Sequence, residues 1–280
     1  MILSDIGHAK LNLALHVRRR RADGYHDLET IFAFTEFGDA LSVAPAEALT
    51  LDVGGPFASA VPPGDDNLVL RAARALAATA DGATRGATIT LDKRLPIAAG
   101  LGGGSTDAAA TLRLLNRLWR LDLPAGRLAD LGAALGADVA ACVHSRTMRG
   151  EGRGETLLPI DDSGLAGTAV LLVNPRVAVP TPAVFAHWDG EDRGSLAAGD
   201  PVAAAAGGRN DLEAPALALA PVIGDVLDAL AAVKGVQLVR MSGSGATCFA
   251  LLASDHAALA GAAAITADQP DWWVAATRLR

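Results

Sequence analysis

The glycine-rich segment at residues 100–105 is the strongest candidate for chemistry in this chain. Its sequence is Gly-Leu-Gly-Gly-Gly-Ser, and it lies between a predicted strand and a predicted helix. Glycines let a ligand approach the backbone closely, and the free N–H groups and dipole of a helix N-terminus attract anions. No lysine follows the last glycine, and Asp107 stands where a dinucleotide fingerprint would have its third glycine. The segment therefore predicts a phosphate site that is neither a Walker loop nor a dinucleotide loop, and a flexible loop is the alternative.

A second glycine segment, residues 243–247, falls between predicted strands over 236–241 and 247–252. Taken alone, this pattern is typical of a tight hairpin turn. A second loop that faces a phosphate or a substrate is the alternative. Neither glycine segment contains G-x-S-x-G, so the sequence does not support a hydrolase nucleophile elbow.

Two charged side chains at element ends are candidates for work on an alcohol. Asp138 precedes an apolar run at 139–143, where helix capping is the commonest role and deprotonation of a hydroxyl is the alternative. Lys10 is the first residue of a strand predicted over 10–17, and most lysines are simply solvated. The turn signal Asp23-Gly24 is followed by Tyr25 and His26, which are either turn residues or a pair that recognises a base.

Metal and disulfide chemistry are not indicated. The six histidines show no HExxH or clustered spacing. Cys142 and Cys248 are far apart and lie in apolar stretches, which favours two buried free thiols.

The elements that must position these residues mix without a regular βαβ alternation, which predicts an α+β fold. Residues 195–208 lack a clear period and are predicted as a loop. Helices are predicted after 65–67 with an end at Asp81-Gly82, after the glycine segment with Ser105 as its cap and Asp107 in its first turn, and over 125–135, 211–232 and 256–265. Further strands are predicted over 31–34, 39–43, 49–53, 87–91, 169–173 and 272–279, with a hairpin over 148–160.

Composition narrows the class of protein. The chain has 280 residues, 51% of them hydrophobic, and a net charge of -7. This length suits one large domain or two small ones, and the acidic balance argues against a general nucleic-acid binder but not against phosphorylated small molecules. The N-terminus lacks a signal-peptide core, and no apolar run approaches the roughly 18 residues of a membrane span. We therefore expect a soluble cytoplasmic protein, monomeric or weakly dimeric, that binds neither nucleic acid nor membrane.

Taken together, the motifs resemble those of the GHMP kinase superfamily, in the same order and across nearly the whole chain. Within the superfamily, the segment Asp23-Gly24-Tyr25-His26 resembles the corresponding segment of kinases that phosphorylate an alcohol carrying a cytidine diphosphate in isoprenoid precursor synthesis. The segments that carry the resemblance are 9–13, 20–26, 66–68, 93–96, 100–105, 136–139, 180–182 and 241–247.

The resemblance implies a two-lobed α+β fold with the active site in the cleft between the lobes. It implies an N-terminal ATP-binding domain, 1–155, a C-terminal domain, 156–280, and ATP with Mg²⁺ as cofactor without an assigned protein ligand for the metal. Lys10 and Asp138 are implied as catalytic residues. The implied ATP-binding residues are Asn67, Lys93, Pro96, Ala98, Ala99, Gly100, Leu101, Gly102, Gly103, Gly104, Ser105 and Thr106. The implied substrate-binding residues are Asn12, Tyr25, His26, Thr181, Phe185, Gly243, Ser244 and Gly245, with the base stacked between Tyr25 and Phe185 and read by His26.

The chain departs from the family pattern in three places. Asp107 stands where asparagine is common and is expected to add negative charge near the phosphates. Ala98 and Ala99 stand where glycines are frequent, and residues 140–142 are smaller than usual. The alternatives are a kinase of the same superfamily for homoserine or a mevalonate-type alcohol, and a non-catalytic sensor with this fold. Retention of both Lys10 and Asp138 argues against the sensor.

Overall fold

The computed structural model describes residues 1–62, 64, 66–79 and 85–280. Within that part of the chain the strands are β1 Leu3–Arg20, β2 His26–Ala46, β3 Leu49–Gly54, β4 Gly86–Asp92, β5 Met148–Gly152, β6 Thr156–Pro159, β7 Ala169–Asn174, β8 Val236–Met241, β9 Cys248–Leu252 and β10 Trp273–Arg278. The helices are α1 Leu68–Ala77, α2 Gly103–Leu118, α3 Ala125–Ala133, α4 Val139–His144, α5 Thr181–Ala186, α6 Pro201–Gly207, α7 Glu213–Leu219, α8 Val222–Ala231 and α9 Asp255–Asp268. The predicted helix signals at Asp65 and at Asp81-Gly82 lie outside the described residues.

Contacts divide the chain into two compact units, and the division does not follow a single cut in the sequence. Unit 1 comprises Met1–Ala9, Phe37–Ile97 and Gly102–Ser145, and unit 2 comprises Lys10–Glu36, Ala98–Leu101 and Arg146–Arg280. Because β1 and β2 are 18 and 21 residues long, each contributes one end to each unit.

Unit 1 is built on a sheet in which β3 pairs parallel to β4 and β4 pairs antiparallel to β2. Strand β4 alternates buried and less buried residues, so Ala87, Ile89 and Leu91 point into the core. Helix α1 packs against α2. It begins at Leu68 because the side chain of Asn67 accepts a hydrogen bond from the backbone N–H of Val69 at 2.9 Å.

Unit 2 contains a four-stranded antiparallel sheet in the order β10-β7-β9-β8. All residues of β7 and β9 are buried, as their continuous apolar sequences predict. Strand β5 pairs with β2 and with β6, which confirms the predicted hairpin over 148–160. The core beside the four-stranded sheet includes Leu171, Ile223 and Val226, and Cys248 is a buried free thiol there.

Two local predictions are wrong, each for a physical reason. Residues 195–208 are not all loop, because α6 forms there with Asp200 as its cap, accepting from the N–H of Val202 at 3.0 Å. The prediction that residues 211–232 are largely helical is confirmed, and these residues form two helices, α7 and α8, since Pro221 has no N–H to continue the first. The predicted strands over 31–34 and 39–43 are one strand, β2. Gly38 does not interrupt β2, although glycine commonly marks a strand end. It lies so close to β1 that a Cβ on it would be 2.2 Å from the carbonyl oxygen of Gly7.

No helix within the described ranges is long and apolar enough to cross a membrane.

Candidate active site

Helix α2 begins inside the glycine segment, two residues before the predicted cap. Its N-cap is Gly102, which has a φ of +65° and makes no side-chain capping bond. The prediction of Ser105 as the cap is therefore wrong, and Asp107 lies beyond the first turn. Glycine adopts this left-handed φ without steric cost, so the chain can enter the helix early. The N–H groups of Gly103, Gly104 and Ser105 lack intrahelical acceptors by geometry, which leaves them available to an anion.

The first half of the glycine segment, Ala98–Leu101, belongs to unit 2 and is bound there by three hydrogen bonds. The N–H of Thr247 donates to the carbonyl of Ala99 at 3.1 Å, and the N–H of Lys10 donates to the carbonyl of Leu101 at 2.9 Å. The hydroxyl of Ser242 donates to the carbonyl of Gly100 at 2.9 Å, although 142 positions separate the two residues in the sequence. The two glycine segments are therefore hydrogen-bonded neighbours.

Lys10 is buried rather than solvated, and 4% of its surface is exposed. Its Nζ donates to Oδ1 of Asn12 at 2.8 Å and lies 5.5 Å from the centroid of the Phe32 ring. The Nδ2 of Asn12 donates to Oγ1 of Thr30 at 2.8 Å. Buried lysines are rare unless they are paired, so this arrangement favours a functional cation over the commoner surface lysine.

The loop between β8 and β9, residues 242–247, is buried throughout. The hairpin prediction is confirmed by the N–H of Ser242, which donates to the carbonyl of Thr247 at 2.9 Å. The hydroxyl oxygens of Thr181 and Ser244 lie 2.8 Å apart. The backbone N–H of Asn12 donates to the hydroxyl of Ser242 at 3.3 Å, so this loop also contacts the strand that carries Lys10.

Asn210 is a residue that the sequence analysis missed. Its Nδ2 donates to the carbonyls of Met241 and Gly243, both at 2.8 Å, and its Oδ1 accepts from the N–H of Leu212 at 3.0 Å. It therefore holds one side of the β8–β9 loop. The signal available in the sequence was a polar Asn210-Asp211 pair directly before a helix, which indicates an Asx turn but not its distant partners.

The predicted base-recognition residues are partly brought together. Strand β1 turns into β2 at the predicted Asp23-Gly24 position, where Gly24 has a φ of +84°. The rings of His26 and Phe185 stack with centroids 4.8 Å apart and planes inclined by 29°. Tyr25, 54% exposed, packs instead against the guanidinium of Arg153, 4.9 Å from its ring centroid. One face of Phe185 is thus covered by His26.

The protonation of His26 is set by its surroundings. Burial, followed by the charge of Arg20, lowers the pKa of the His26 imidazole. The Nε of Arg20 donates to Nε2 of His26 at 3.4 Å. A ring nitrogen that accepts from a guanidinium carries no proton, so the geometry indicates a neutral ring protonated on Nδ1.

Lys93 lies in a buried charge cluster of unit 1 with Asp39 and Asp107. Its Nζ donates to Oδ2 of Asp39 at 2.5 Å and to Oδ2 of Asp107 at 2.7 Å. Burial, opposed by the charge of Lys93, raises the pKa of Asp107 to about 8. The ammonium of Lys93 is therefore held by protein carboxyls beneath the glycine segment, an arrangement that nothing in the local sequence pattern indicated.

Asp138 occupies the backbone N-cap position of α4, but its side chain makes no capping hydrogen bond. The capping interpretation therefore does not account for its carboxylate. Asp138 is half-buried and lies in unit 1, as do Asn67, Lys93, Pro96 and residues 102–106. The remaining predicted site residues lie in unit 2.

Two family profiles match the sequence. The GHMP kinases N terminal domain matches residues 67–146, and the GHMP kinases C terminal domain matches residues 193–270. The sequence is 58% identical over 279 residues, 99% of this chain and 94% of its relative, to a protein of Rhizorhabdus wittichii named 4-diphosphocytidyl-2-C-methyl-D-erythritol kinase.

Solved structures agree with these matches. A crystal structure of 4-(cytidine 5'-diphospho)-2C-methyl-D-erythritol kinase superposes with a TM-score of 0.81 at 36% identity, covering 99% of both chains. A homoserine kinase of Cytophaga hutchinsonii superposes with a TM-score of 0.71 at 17% identity, covering 99% of this chain and 95% of its own, and shares the fold. The α+β, two-domain prediction is confirmed. The chain belongs to the GHMP kinases, which use ATP, and within them to the family of 4-diphosphocytidyl-2-C-methyl-D-erythritol kinases.

Proposed function

We propose that this chain transfers the γ-phosphoryl group of ATP to the 2-hydroxyl of 4-diphosphocytidyl-2-C-methyl-D-erythritol, a step in non-mevalonate isoprenoid precursor synthesis. The observation that carries the proposal is identity over the whole length of the chain with relatives of that name, 58% in one case. The buried Lys10–Asn12 pair, bound to both glycine segments, supports catalysis rather than sensing, because burial of a lysine is costly without a task.

Residues 98–106 are proposed to bind the phosphates of ATP. Phosphoryl transfer requires positioning and neutralisation of negative charge more than covalent help. The N–H groups of Gly103, Gly104 and Ser105 supply fixed donors for this purpose. Pro96, Asn67 and Lys93 are proposed to lie beside the nucleotide. For Lys93 this contact would come from its backbone or stem, since the ammonium is bound by Asp39 and Asp107.

Lys10 and Asp138 are proposed as the catalytic residues. Lys10 supplies a desolvated ammonium that stabilises negative charge on the transferring group. Asp138 orients the alcohol and accepts its proton.

The nucleotide part of the alcohol substrate is proposed to contact Tyr25, His26 and Phe185. Since His26 covers one face of Phe185, the base would stack on the other face and Tyr25 would approach from the exposed side. The Nδ1–H of a neutral His26 is a donor for the base edge. Asn12, Thr181 and the loop residues Gly243, Ser244 and Gly245 are proposed to bind the polar chain of the substrate.

Mg²⁺ is proposed to accompany ATP. Within the described residues no group of three or more His, Cys, Asp or Glu side chains could hold a metal ion. We propose that the ligands of Mg²⁺ are mainly phosphate oxygens and water molecules, as is common for Mg²⁺ in kinases. When bound, the ion neutralises charge on the β- and γ-phosphates.

The domain division, the cellular location and the partners of the chain are also proposals. The domain division 1–155 and 156–280 is supported by the two family matches, which fall on either side of it. A cytoplasmic location and the lack of nucleic-acid and membrane partners are proposed from composition and charge. A monomer or weak homodimer is proposed as the assembly.

A comparison of kcat/KM between candidate substrates tests the proposed function. We expect turnover of ATP with the cytidine-diphosphate alcohol and a much lower kcat/KM with its uridine counterpart, because a mismatched base edge leaves buried polar groups unsatisfied. Phe185→Ala should weaken both substrates similarly, whereas His26→Ala should narrow the gap. Phosphorylation of homoserine or mevalonate in preference would establish the small-alcohol kinase, and ATP binding without any transfer would establish the sensor.

A further inference from the structure

The cluster of Asp39, Lys93 and Asp107 carries an unbalanced charge. Asp39 is fully buried, and Lys93 and Asp107 are 1% and 2% exposed. Two ionised carboxylates with one ammonium would leave a net charge of one negative unit in the interior. Burying an uncompensated charge is costly, and proteins commonly avoid it by shifting a proton. One of the two carboxyls is therefore expected to hold a proton near neutral pH.

The hydrogen bonds indicate which carboxyl that is. Oδ1 of Asp39 accepts from the N–H groups of Arg94 at 2.6 Å and Leu95 at 2.8 Å, while its Oδ2 accepts from Lys93. Asp107 accepts from Lys93 at Oδ2, its buried Oδ1 has no partner among the described residues, and a hydrogen bond between its carboxyl and that of Asp39 favours its protonated form. Donors stabilise the ionised form of a carboxyl, so the hydrogen bonds favour Asp107 as the carboxyl that holds the proton.

Among the described residues, the charges that act most strongly on Asp107 are those of the cluster itself. The groups that act on its carboxyl are Lys93, at the end of β4, and Asp39, on β2. Strand β1 approaches through Gly7, where a Cβ would lie 2.9 Å from Oδ1 of Asp107. Burial raises the pKa of Asp107 to about 8, in agreement with the hydrogen bonding.

The cluster lies directly beneath the first turn of α2. A Cβ on Gly103 would be 2.9 Å from Nζ of Lys93. The N–H groups of this turn are those proposed to bind the ATP phosphates, so the inference rests on that part of the proposed function. A negative charge that appears here competes with the phosphates for the positive end of the helix dipole.

We propose that Asp107 is a positioning residue for ATP that stays protonated at neutral pH, and that its ionisation at alkaline pH weakens ATP binding. The uncharged carboxyl leaves the Asp39–Lys93 pair neutral beneath the helix. Under this proposal Asp107 adds no negative charge near the phosphates at neutral pH, which differs from the expectation from the sequence.

The first test is the side-chain carboxyl ¹³C signal of Asp107 in the ligand-free protein, assigned by comparison with Asp107→Asn. We expect it to titrate with a midpoint near pH 8. A midpoint in the ordinary range of aspartates, about 4, would overturn the proposal without reference to any variant's activity.

The second test is the dissociation constant of ATP between about pH 7 and about pH 9, one unit on either side of the raised value. The wild type should lose affinity about two- to fivefold across this window, the range for a charge at a helix N-terminus. Asp107→Asn keeps the shape of the side chain but cannot ionise, so its affinity for ATP should not fall across this window. Asp130→Asn, the same change at an exposed carboxylate of α3, is the matched control and should behave like the wild type.

The outcomes separate the inference from the proposed function. Equal pH dependence in Asp107→Asn and the wild type would refute the role of Asp107. A wild type that fails to bind ATP at every pH would instead refute the proposed phosphate site.

A third measurement concerns stability. The folded protein retains the Asp107 proton between pH 3.8 and about 8, whereas the unfolded chain has released it. The free energy of unfolding of the wild type therefore falls relative to Asp107→Asn as the pH rises through this window, and the difference is constant above it. A difference that does not change with pH would contradict a raised pKa.

Discussion

Gly100 connects the two glycine segments, and replacing it with alanine tests whether that contact determines the stability of unit 2. Gly100 has a φ of +75°, and a Cβ on it would lie 2.2 Å from the carbonyl oxygen of Ser242 and 3.0 Å from that of Gly245. The clash is with backbone, which cannot rotate away as a side chain would. The Ala98–Leu101 segment and the β8–β9 loop must therefore separate.

The expected loss of stability follows from these contacts. The left-handed conformation costs a non-glycine residue about 1–2 kcal/mol. Separation breaks the hydrogen bonds from Ser242 to Gly100 and from Thr247 to Ala99, each worth about 0.5–1.5 kcal/mol. Gly100→Ala should therefore lower the free energy of unfolding by about 2–5 kcal/mol.

Two glycines elsewhere supply matched controls. Gly167 has a φ of +79°, and a Cβ added to it would have no atom within 4 Å, so Gly167→Ala reports the conformational cost alone, about 1–2 kcal/mol. Gly126 lies in α3 with open space around it, so Gly126→Ala should be neutral or stabilising by about 0.5–1 kcal/mol. Equilibrium urea unfolding of the three variants gives the comparison. If Gly100→Ala loses no more than Gly167→Ala, the contact between the segments does not contribute.

Three further predictions concern catalysis and the substrate loop. Asp138→Asn should unfold like the wild type, because Asn caps helices about as well as Asp, and should lower kcat about 10²-fold or more; an unchanged kcat would leave Asp138 without a catalytic role. Lys10→Ala should lower kcat more than it raises KM for the alcohol, as expected for an interaction strongest in the transition state, and a rise in KM for ATP alone would contradict this. Asn210→Ala removes the donor to the carbonyls of Met241 and Gly243 and should raise KM for the alcohol. Asn116→Ala, which removes similar bonds to Leu123 in unit 1, should reduce stability without that rise, and equal rises would argue against positioning by Asn210.

Patterns of neighbouring residues predicted most of the elements correctly. The continuous apolar run of β7, the turn at Asp23-Gly24 and the hairpin between β8 and β9 all appear where their sequences indicated. These features depend on backbone preferences and on burial of one segment, so the local sequence contains the information. Where the local rule was incomplete, as with the alanine-rich helix α6 after Asp200, a capping signal was present but was not recognised.

The partners of the charged and polar site residues were decided only by tertiary structure. Asn12 and Ser242 are hydrogen-bonded although they lie 230 positions apart in the sequence. Lys93 and Asp39 form an ion pair although they lie 54 positions apart. The sequence determined that Lys10, Asp138 and the glycine segments are present and, through their resemblance, the family. Whether a lysine is solvated or buried, and whether an aspartate carries a charge, depends on desolvation and on donors brought from distant strands. Those are properties of the packed interior, because hydrogen bonds and charge pairing act through space and not along the chain.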